Sequence, residues 1–268
     1  MNKTIKLNNN MDMPVLALGT WLMTNEEARL SVIEAVKLGY RFIDTAEGYQ
    51  NEEGVGLGLK ECGVPREEIF LQTKLKAEIK NYEDAKREIE LSFKKLDVDY
   101  IDSVIIHWPT PWELRNGNVR FEKENLEVWR ALSEYVKEGR IRTIGLSNFW
   151  ASDVKNILDN AEIKPTVNQI KVHIGETPID LINYCKENNI VVQAYSPIAH
   201  GKLLDNEMVA KMAAKYNVSI SQLCIRYTLQ LGLVSIPKTT HPEYMKMNMD
   251  VDFVISDEDM EILKSIKL

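Results

Sequence analysis

Gly54-Val55-Gly56-Leu57-Gly58-Leu59 is the stretch on which the choice of fold turns. A doubly wound nucleotide-binding sheet needs G-x-G-x-x-G directly after a strand, so that backbone can approach a pyrophosphate at a helix N-terminus. Here the third glycine position is Leu59, and the run follows a polar loop, Gln50-Asn51-Glu52-Glu53. The glycines read instead as a helix that approaches its neighbour closely. That reading removes the doubly wound sheet and leaves the other common parallel α/β architecture, the (β/α)8 barrel.

On either side of this stretch the chain repeats one pattern. Runs rich in Ile, Val and Leu at 15–20, 41–44, 69–74, 103–107, 142–147, 166–170, 191–195 and 234–238 read as strands. Most place apolar residues consecutively rather than alternately, as parallel strands covered on both faces require. Thr24-Asn25-Glu26-Glu27 is a capping box, opening a helix through Ala28, Val32 and Val36 that stops at Gly39. Ala85, Ile89, Phe93 and Leu96 mark a second helical face; Leu126, Trp129 and Val136 mark a third, closed by Gly139. From Thr20 to Lys238 the eight strand ends recur about every 31 residues on average, the length of a βαβ repeat. The expected fold is a (β/α)8 TIM barrel occupying 1–268 as one domain, with 3–7 and 13–16 as a hairpin closing the barrel floor.

Composition narrows the function classes. The chain has 268 residues, 44% apolar, enough for a full core. Its 33 basic and 40 acidic side chains give a net charge of −7, which argues against a phosphate-backbone partner. Cys62, Cys185 and Cys224 are far apart and odd in number, as in a reduced cytosolic protein. The start, Met1-Asn2-Lys3-Thr4, is polar, and no apolar run approaches the ~20 residues that span a bilayer. A cytoplasmic monomer with no membrane or nucleic-acid partner is the expectation.

In such a barrel the chemistry sits at the C-terminal ends of the strands. Those ends carry Asp44, Lys74, His107, Ser147-Asn148, Gln169, Tyr195 and Lys238, with Tyr49 just past Asp44. Four of them form a coherent acid–base set. A tyrosine is a weak acid near pKa 10; a lysine ammonium beside it favours the phenolate, and an aspartate holds the lysine charged. A histidine on the next strand can donate to the oxygen of a bound carbonyl. The set has no nucleophile and no metal cage: His107, His173, His200 and His241 show no i, i+4 or H-x-H pairing. The missing reactant must come from a cofactor, and hydride delivered to a carbonyl while Tyr49 gives the proton fills the gap.

These residues stand in a longer resemblance. Arg41-Phe42-Ile43-Asp44-Thr45-Ala46 with Tyr49 and Asn51-Glu52, Ile105-Ile106-His107-Trp108-Pro109, the run from Gly139 through Gly145-Leu146-Ser147-Asn148-Phe149, and Ile236-Pro237-Lys238-Thr239 resemble, in order, the signatures of the aldo-keto reductases. Gly19-Thr20-Trp21, Asn168-Gln169 and Ala194-Tyr195-Ser196-Pro197 add to it, and the likeness is to the prokaryotic, 2,5-diketo-gluconate reductase-like members. The resemblance implies that Asp44, Tyr49, Lys74 and His107 are the catalytic tetrad and that NADPH is the cofactor, with NADH as second choice. It places Tyr195 against the nicotinamide ring, with Asp44, Ser147, Asn148 and Gln169 around it. Gly19 and Thr20 fall at the nicotinamide end, and Ser196 and Ile198 at the pyrophosphate. Lys238, Thr239 and Asn248 fall at the adenosine end.

One departure bears on the cofactor. Members devoted to NADPH place an arginine in the helix after the last signature, where this chain has Tyr244, with Met247 at the next position used. Preference for NADPH over NADH by a reduced margin is therefore expected. Trp21, Tyr49, His107 and Trp108, with Trp112 in the segment after them, are the expected substrate wall, whereas Trp129 lies on a helix face and reads as packing. The last helix is expected at 257–266, without the long C-terminal loop that narrows the pocket in many animal members. Small carbonyl compounds are then the expected substrates. The alternative is a catalytically weak, cofactor-binding regulatory subunit of the same fold; a Schiff-base lyase built on Lys74 is a more distant one.

Overall fold

The chain enters through a hairpin, β1 (Thr4–Lys6) and β2 (Asp12–Pro14), paired antiparallel with Ile5 opposite Met13. The computed structural model describes residues 3–117 and 119–268. Met1 and Asn2, part of the polar start read above, and Asn118, in the segment after His107, lie outside the described residues. The hairpin turn is pinned to backbone at the lower ends of three strands. Asn8 Nδ2 donates to Pro165 O at 2.9 Å and Asn189 O at 3.2 Å, and Asn9 Nδ2 to Arg142 O at 3.3 Å.

Eight strands follow: β3 (Leu18–Gly19), β4 (Phe42–Asp44), β5 (Phe70–Leu75), β6 (Ile101–Ile106), β7 (Ile141–Ser147), β8 (Val167–Lys171), β9 (Val191–Tyr195) and β10 (Val234–Ile236). They are hydrogen-bonded in chain order and every pairing is parallel. The first and last are joined across the seam: Ala17 N donates to Ser235 O at 2.9 Å, Ser235 N to Val15 O at 2.8 Å, and Gly19 N to Pro237 O at 2.9 Å. The sheet is a barrel, as the spacing of strand ends predicts, with the hairpin under its floor.

A strand sends every second side chain inward, and this period builds the interior in layers. On β5 the inward row is Phe70, Gln72, Lys74; on β4 it is Phe42, Asp44; on β8 it is Val167, Gln169. The lowest layer is apolar: Phe42 meets Phe70 edge to face at 4.9 Å, and Met13 of the hairpin, Val167 and Val234 join them. The middle layer is polar, and the uppermost opens toward the C-terminal strand ends.

Helices cover the outside: α1 (Asn25–Leu38), α2 (Glu52–Glu61), α3 (Tyr82–Leu96), α4 (Glu122–Lys137), α5 (Ala151–Asn160) and α6 (Ile179–Glu187). After them come α7 (Glu207–Lys215), α8 (Ile220–Gln230), α9 (Pro242–Met249) and α10 (Asp257–Ser265). The capping box on α1 is present in both directions, Thr24 Oγ1 accepting from Glu27 N and Glu27 Oε2 from Thr24 N. The glycine run lies in α2, wedged between its neighbours. A Cβ on Gly54 would come within 2.0 Å of Asn25 O, and one on Gly56 within 2.3 Å of Leu96 O, so only hydrogen fits at either place. Trp129 is buried on α4 with its Nε1 donating to Ile163 O at 2.9 Å, a packing role. Among the described residues no helix is long and apolar enough to cross a membrane.

Candidate active site

Lys74 ends the inward row of β5, fully buried beside Asp44 at the end of β4. Its ammonium donates to Asp44 Oδ2 at 2.7 Å, to Thr45 O at 2.9 Å and to Tyr49 Oη at 3.3 Å. An ammonium has three hydrogens and no lone pair. All three are therefore committed, and Tyr49 Oη must be the acceptor in its contact. The phenol's own hydrogen is left to point elsewhere, and the open side is the cavity above.

Tyr49 is delivered by a single 3-10 turn, Glu47–Tyr49, immediately past β4. Glu47 is buried under that turn and pairs with Lys76, just beyond β5, at 2.5 Å. Asn51 ties the turn to the loop carrying Trp21: its Oδ1 accepts from Thr45 Oγ1 at 2.9 Å, while Nδ2 donates to Thr20 O at 2.8 Å and Met23 O at 3.0 Å. His107 follows β6, its backbone N–H on Leu75 O at 3.0 Å and its carbonyl accepting from Asn148 Nδ2 at 3.1 Å. Its ring stands edge to face with Tyr49, centroids 5.6 Å apart.

The charges are set by loss of water. Burial pushes the Lys74 ammonium below its ordinary value, with Asp44 opposing. Burial, and then the Asp44 carboxylate, push the Tyr49 phenol well above 10. The expectation that Lys74 lowers this pKa is reversed. At 2.7 Å Asp44 offsets the ammonium, so the phenol faces an ion pair rather than a lone cation, and desolvation dominates. His107 is pushed down to about 3 by burial and then by Lys74, so its imidazole is neutral at ordinary pH. Its Nδ1 is sealed without a partner among the described residues, which leaves Nε2 as the ring nitrogen able to carry the proton toward the cavity.

Above this group lies a cavity of about 800 Å3. Its wall contains Asp44, Tyr49, His107, Gln169 and Tyr195, together with Gly19, Ser147, Asn148, Ser196, Ile198 and, at the rim, Lys238. Trp21, Trp108 and Trp112 line the same space. Lys74 is not on the wall; it stands behind Tyr49. Three expected residues are not brought there either. Thr20 is fully buried, with its hydroxyl on Asp44 O at 3.1 Å, and serves the backbone behind the wall. Asn248 is buried on α9, and Thr239 Oγ1 accepts from His241 N at 3.1 Å in the turn before that helix. Tyr195 is held by its hydroxyl, which donates to Asn148 Oδ1 at 2.9 Å, and Ser147 Oγ donates to Gln169 O at 2.9 Å.

The sequence reading missed His200 and Leu204, which line the cavity from the irregular segment after β9, and Leu22, which follows Trp21. His200 meets Trp21 edge to face at 5.2 Å. That segment passes through left-handed backbone at Ser196, Ala199 and His200, a path with no periodic pattern to read. Lys80 was also missed: it donates to Trp108 O at 3.0 Å and Asn125 Oδ1 at 2.9 Å, while Asn125 Nδ2 donates to Pro109 O at 2.9 Å. Together they fix the backbone under Trp108.

Known proteins are similar to this chain over nearly its full length. The profile of the Aldo/keto reductase family matches residues 15–268. The glyoxal reductase of Bacillus subtilis is 42% identical over 268 residues, covering 99% of this chain and 93% of that one. The aldehyde reductase YPR1 of Saccharomyces cerevisiae is 35% identical, covering 98% and 90%. Among solved structures, the Bombyx mori aldo-keto reductase in complex with NADP superposes with a TM-score of 0.88 at 33% identity, over 97% of this chain and 91% of that one.

Proposed function

The chain belongs to the aldo/keto reductase family, and from that premise we propose that it reduces aldehydes and ketones to alcohols with NADPH, Tyr49 giving the carbonyl oxygen its proton. The observation that carries this reading is the commitment of all three Lys74 hydrogens, which leaves the Tyr49 hydroxyl hydrogen free at the cavity. The similar Bombyx mori enzyme was solved with NADP, and the wall here suits such a cofactor. Gln169 turns its amide nitrogen inward to Asp44, which leaves its carbonyl oxygen as an acceptor at the cavity; Tyr195 offers a fixed ring, and Lys238 a cation at the rim. When bound, NADPH supplies the hydride that the protein's own groups lack.

The residues of this chain do the rest. Tyr49 Oη and His107 Nε2 converge on one carbonyl oxygen, which polarises the bond before the proton moves. As that proton leaves, the phenolate forms 3.3 Å from an ammonium already in place, so no reorganisation is needed. Trp21, Trp108, Trp112 and Leu204 supply an apolar wall with few polar groups to discriminate among substrates. Small aldehydes, dicarbonyls and aromatic aldehydes are the expected substrates. Steady-state reduction of 4-nitrobenzaldehyde and glyoxal with NADPH tests the reading, and absence of turnover with both rejects it.

Two further outcomes follow. Tyr244 and Met247 are exposed on α9, and neither offers charge to a 2′-phosphate, which leaves Lys238 as the cation at the cavity rim. NADPH is expected to exceed NADH in kcat/KM by about tenfold, one charge-assisted contact's worth; a higher value with NADH refutes the assignment. The working state needs neutral His107, protonated Tyr49 and charged Lys74. With His107 titrating near 3 and Tyr49 well above 10, lowering the pH from 7.5 to 5 removes none of these. kcat/KM for reduction should stay within about twofold over that window, less than the tenfold per unit that loss of an essential form produces. A tenfold fall per unit below pH 6.5 would mean that His107 titrates there and must be neutral.

A further inference from the structure

Beneath the cavity floor Asp44 and Gln169 of the wall close a ring with Gln72 and Gln193, two side chains that the reaction proposed above does not use. Asp44 Oδ1 accepts from Gln72 Nε2 at 2.8 Å and from Gln169 Nε2 at 2.9 Å. Gln193 Oε1 accepts the second hydrogen of each, at 2.8 and 2.9 Å. Gln193 Nε2 donates in turn to Gln72 Oε1 at 2.9 Å and to Met13 Sδ of the hairpin at 3.4 Å. The three glutamines come from the inward rows of β5, β8 and β9, and none is more than 2% exposed.

The direction of every bond follows from charge. A carboxylate only accepts, so Gln72 and Gln169 must both turn their nitrogens to Asp44. Their remaining hydrogens then require a carbonyl, which orients Gln193. All six amide hydrogens of the ring have acceptors. Of the three amide oxygens, only Gln169 Oε1 accepts from no protein group among the described residues; it is not sealed off, and Gln169 is on the cavity wall.

We propose that Gln72 and Gln193 are positioning residues that, together with Asp44, lock the amide of Gln169 so that its carbonyl oxygen faces the cavity as an acceptor for a carboxamide NH2. Resting on the cofactor reading above, this makes the cavity floor selective for a ring substituent that can donate a hydrogen. Removing Gln193 frees one hydrogen of Gln169 Nε2 and one of Gln72 Nε2, and the Gln169 amide then pivots about its single remaining contact with Asp44. Neither Gln72 nor Gln193 lines the cavity, so their effect reaches it through Gln169 and Asp44, the two wall residues of the ring.

The test is titration of tryptophan fluorescence with NADP+ and with its 3-acetylpyridine analogue, in which a methyl ketone replaces the carboxamide. Wild-type protein should bind NADP+ about fivefold more tightly, the worth of one net hydrogen bond; a ratio of one already overturns the proposal. In Gln193→Met the ratio should collapse toward one, the loss falling on NADP+ while the Kd of the analogue stays within about twofold. A merely structural lesion weakens both dinucleotides alike and leaves the ratio in place; that result, or unchanged binding of both, overturns the proposal. Gln72→Met leaves Gln169 both of its acceptors but removes the two bonds by which Gln72 orients Gln193, so the ratio should fall part-way toward one; an unchanged ratio there overturns the proposal even if Gln193→Met does not fold. Wild-type protein that binds neither dinucleotide overturns the cofactor reading itself.

Discussion

Replacing Tyr49 with Phe should lower kcat for 4-nitrobenzaldehyde reduction by about 10^3-fold, within the range for loss of a positioned general acid. Binding of NADPH should change by less than about twofold, a few tenths of a kcal/mol. The ring of Phe keeps the edge-to-face contact with His107 and the same volume at the cavity wall. What disappears is one oxygen, which is both the cavity's proton source and the third acceptor of the Lys74 ammonium. The buried hydrogen left without a partner costs about 1–3 kcal/mol of stability, small enough for the variant to remain folded. Steady-state kinetics and a fluorescence titration on the same preparation separate the two effects. Turnover within tenfold of wild type would remove Tyr49 from the role of donor.

The second large effect concerns the ion pair behind it. In Lys74→Met the Asp44 carboxylate keeps its two amide donors but loses its counter-charge in a site where neither side chain is more than 4% exposed. Breaking a buried pair from one side costs about 3–5 kcal/mol, and urea unfolding should show a loss of that size. Reduction should also fall by about 10^2-fold or more, because the phenolate that forms as the proton leaves then has no cation beside it. The double variant Lys74→Met/Asp44→Asn removes both charges while keeping an oxygen for the Gln72 and Gln169 amides, and should regain part of the stability while regaining no activity. Recovery of activity in the double variant would show that Lys74 serves the fold alone.

Much of this architecture is written in local patterns. The period of two along Phe70, Gln72 and Lys74 already states that floor, middle and top of one strand face inward together, and Lys74 at its end is what a strand terminus at the working face requires. Gly54, Gly56 and Gly58 announce a helix that touches its neighbours through bare backbone, and the contacts with Asn25 and Leu96 make that literal. Other parts depend on three-dimensional proximity that no spacing encodes. Gln72 and Gln193 read as isolated polar residues in apolar strands; their meaning appears only when 121 positions of chain are folded so that they meet. His200 and Leu204 reach the cavity along an irregular path. Thr20 looks like a strand-end site residue but turns its hydroxyl to backbone, because Asp44 O lies within reach and the wall is made by its neighbours, Gly19 and Trp21. The upward direction of the Tyr49 shift is hidden from the sequence for a related reason. The sequence places a lysine nearby but does not say how closely the aspartate neutralises it.

The proposed reduction requires one ligand oxygen between Tyr49 and His107, with Lys74 behind the phenol. A crystal structure of the protein with NADP+ and an aromatic carboxylate in the tryptophan-lined part of the cavity measures this directly. One carboxylate oxygen is expected within about 3.2 Å of both Tyr49 Oη and His107 Nε2, with the Lys74 contact to Oη retained. A carboxylate held by other donors, with Tyr49 Oη beyond hydrogen-bonding reach of both its oxygens, would contradict it.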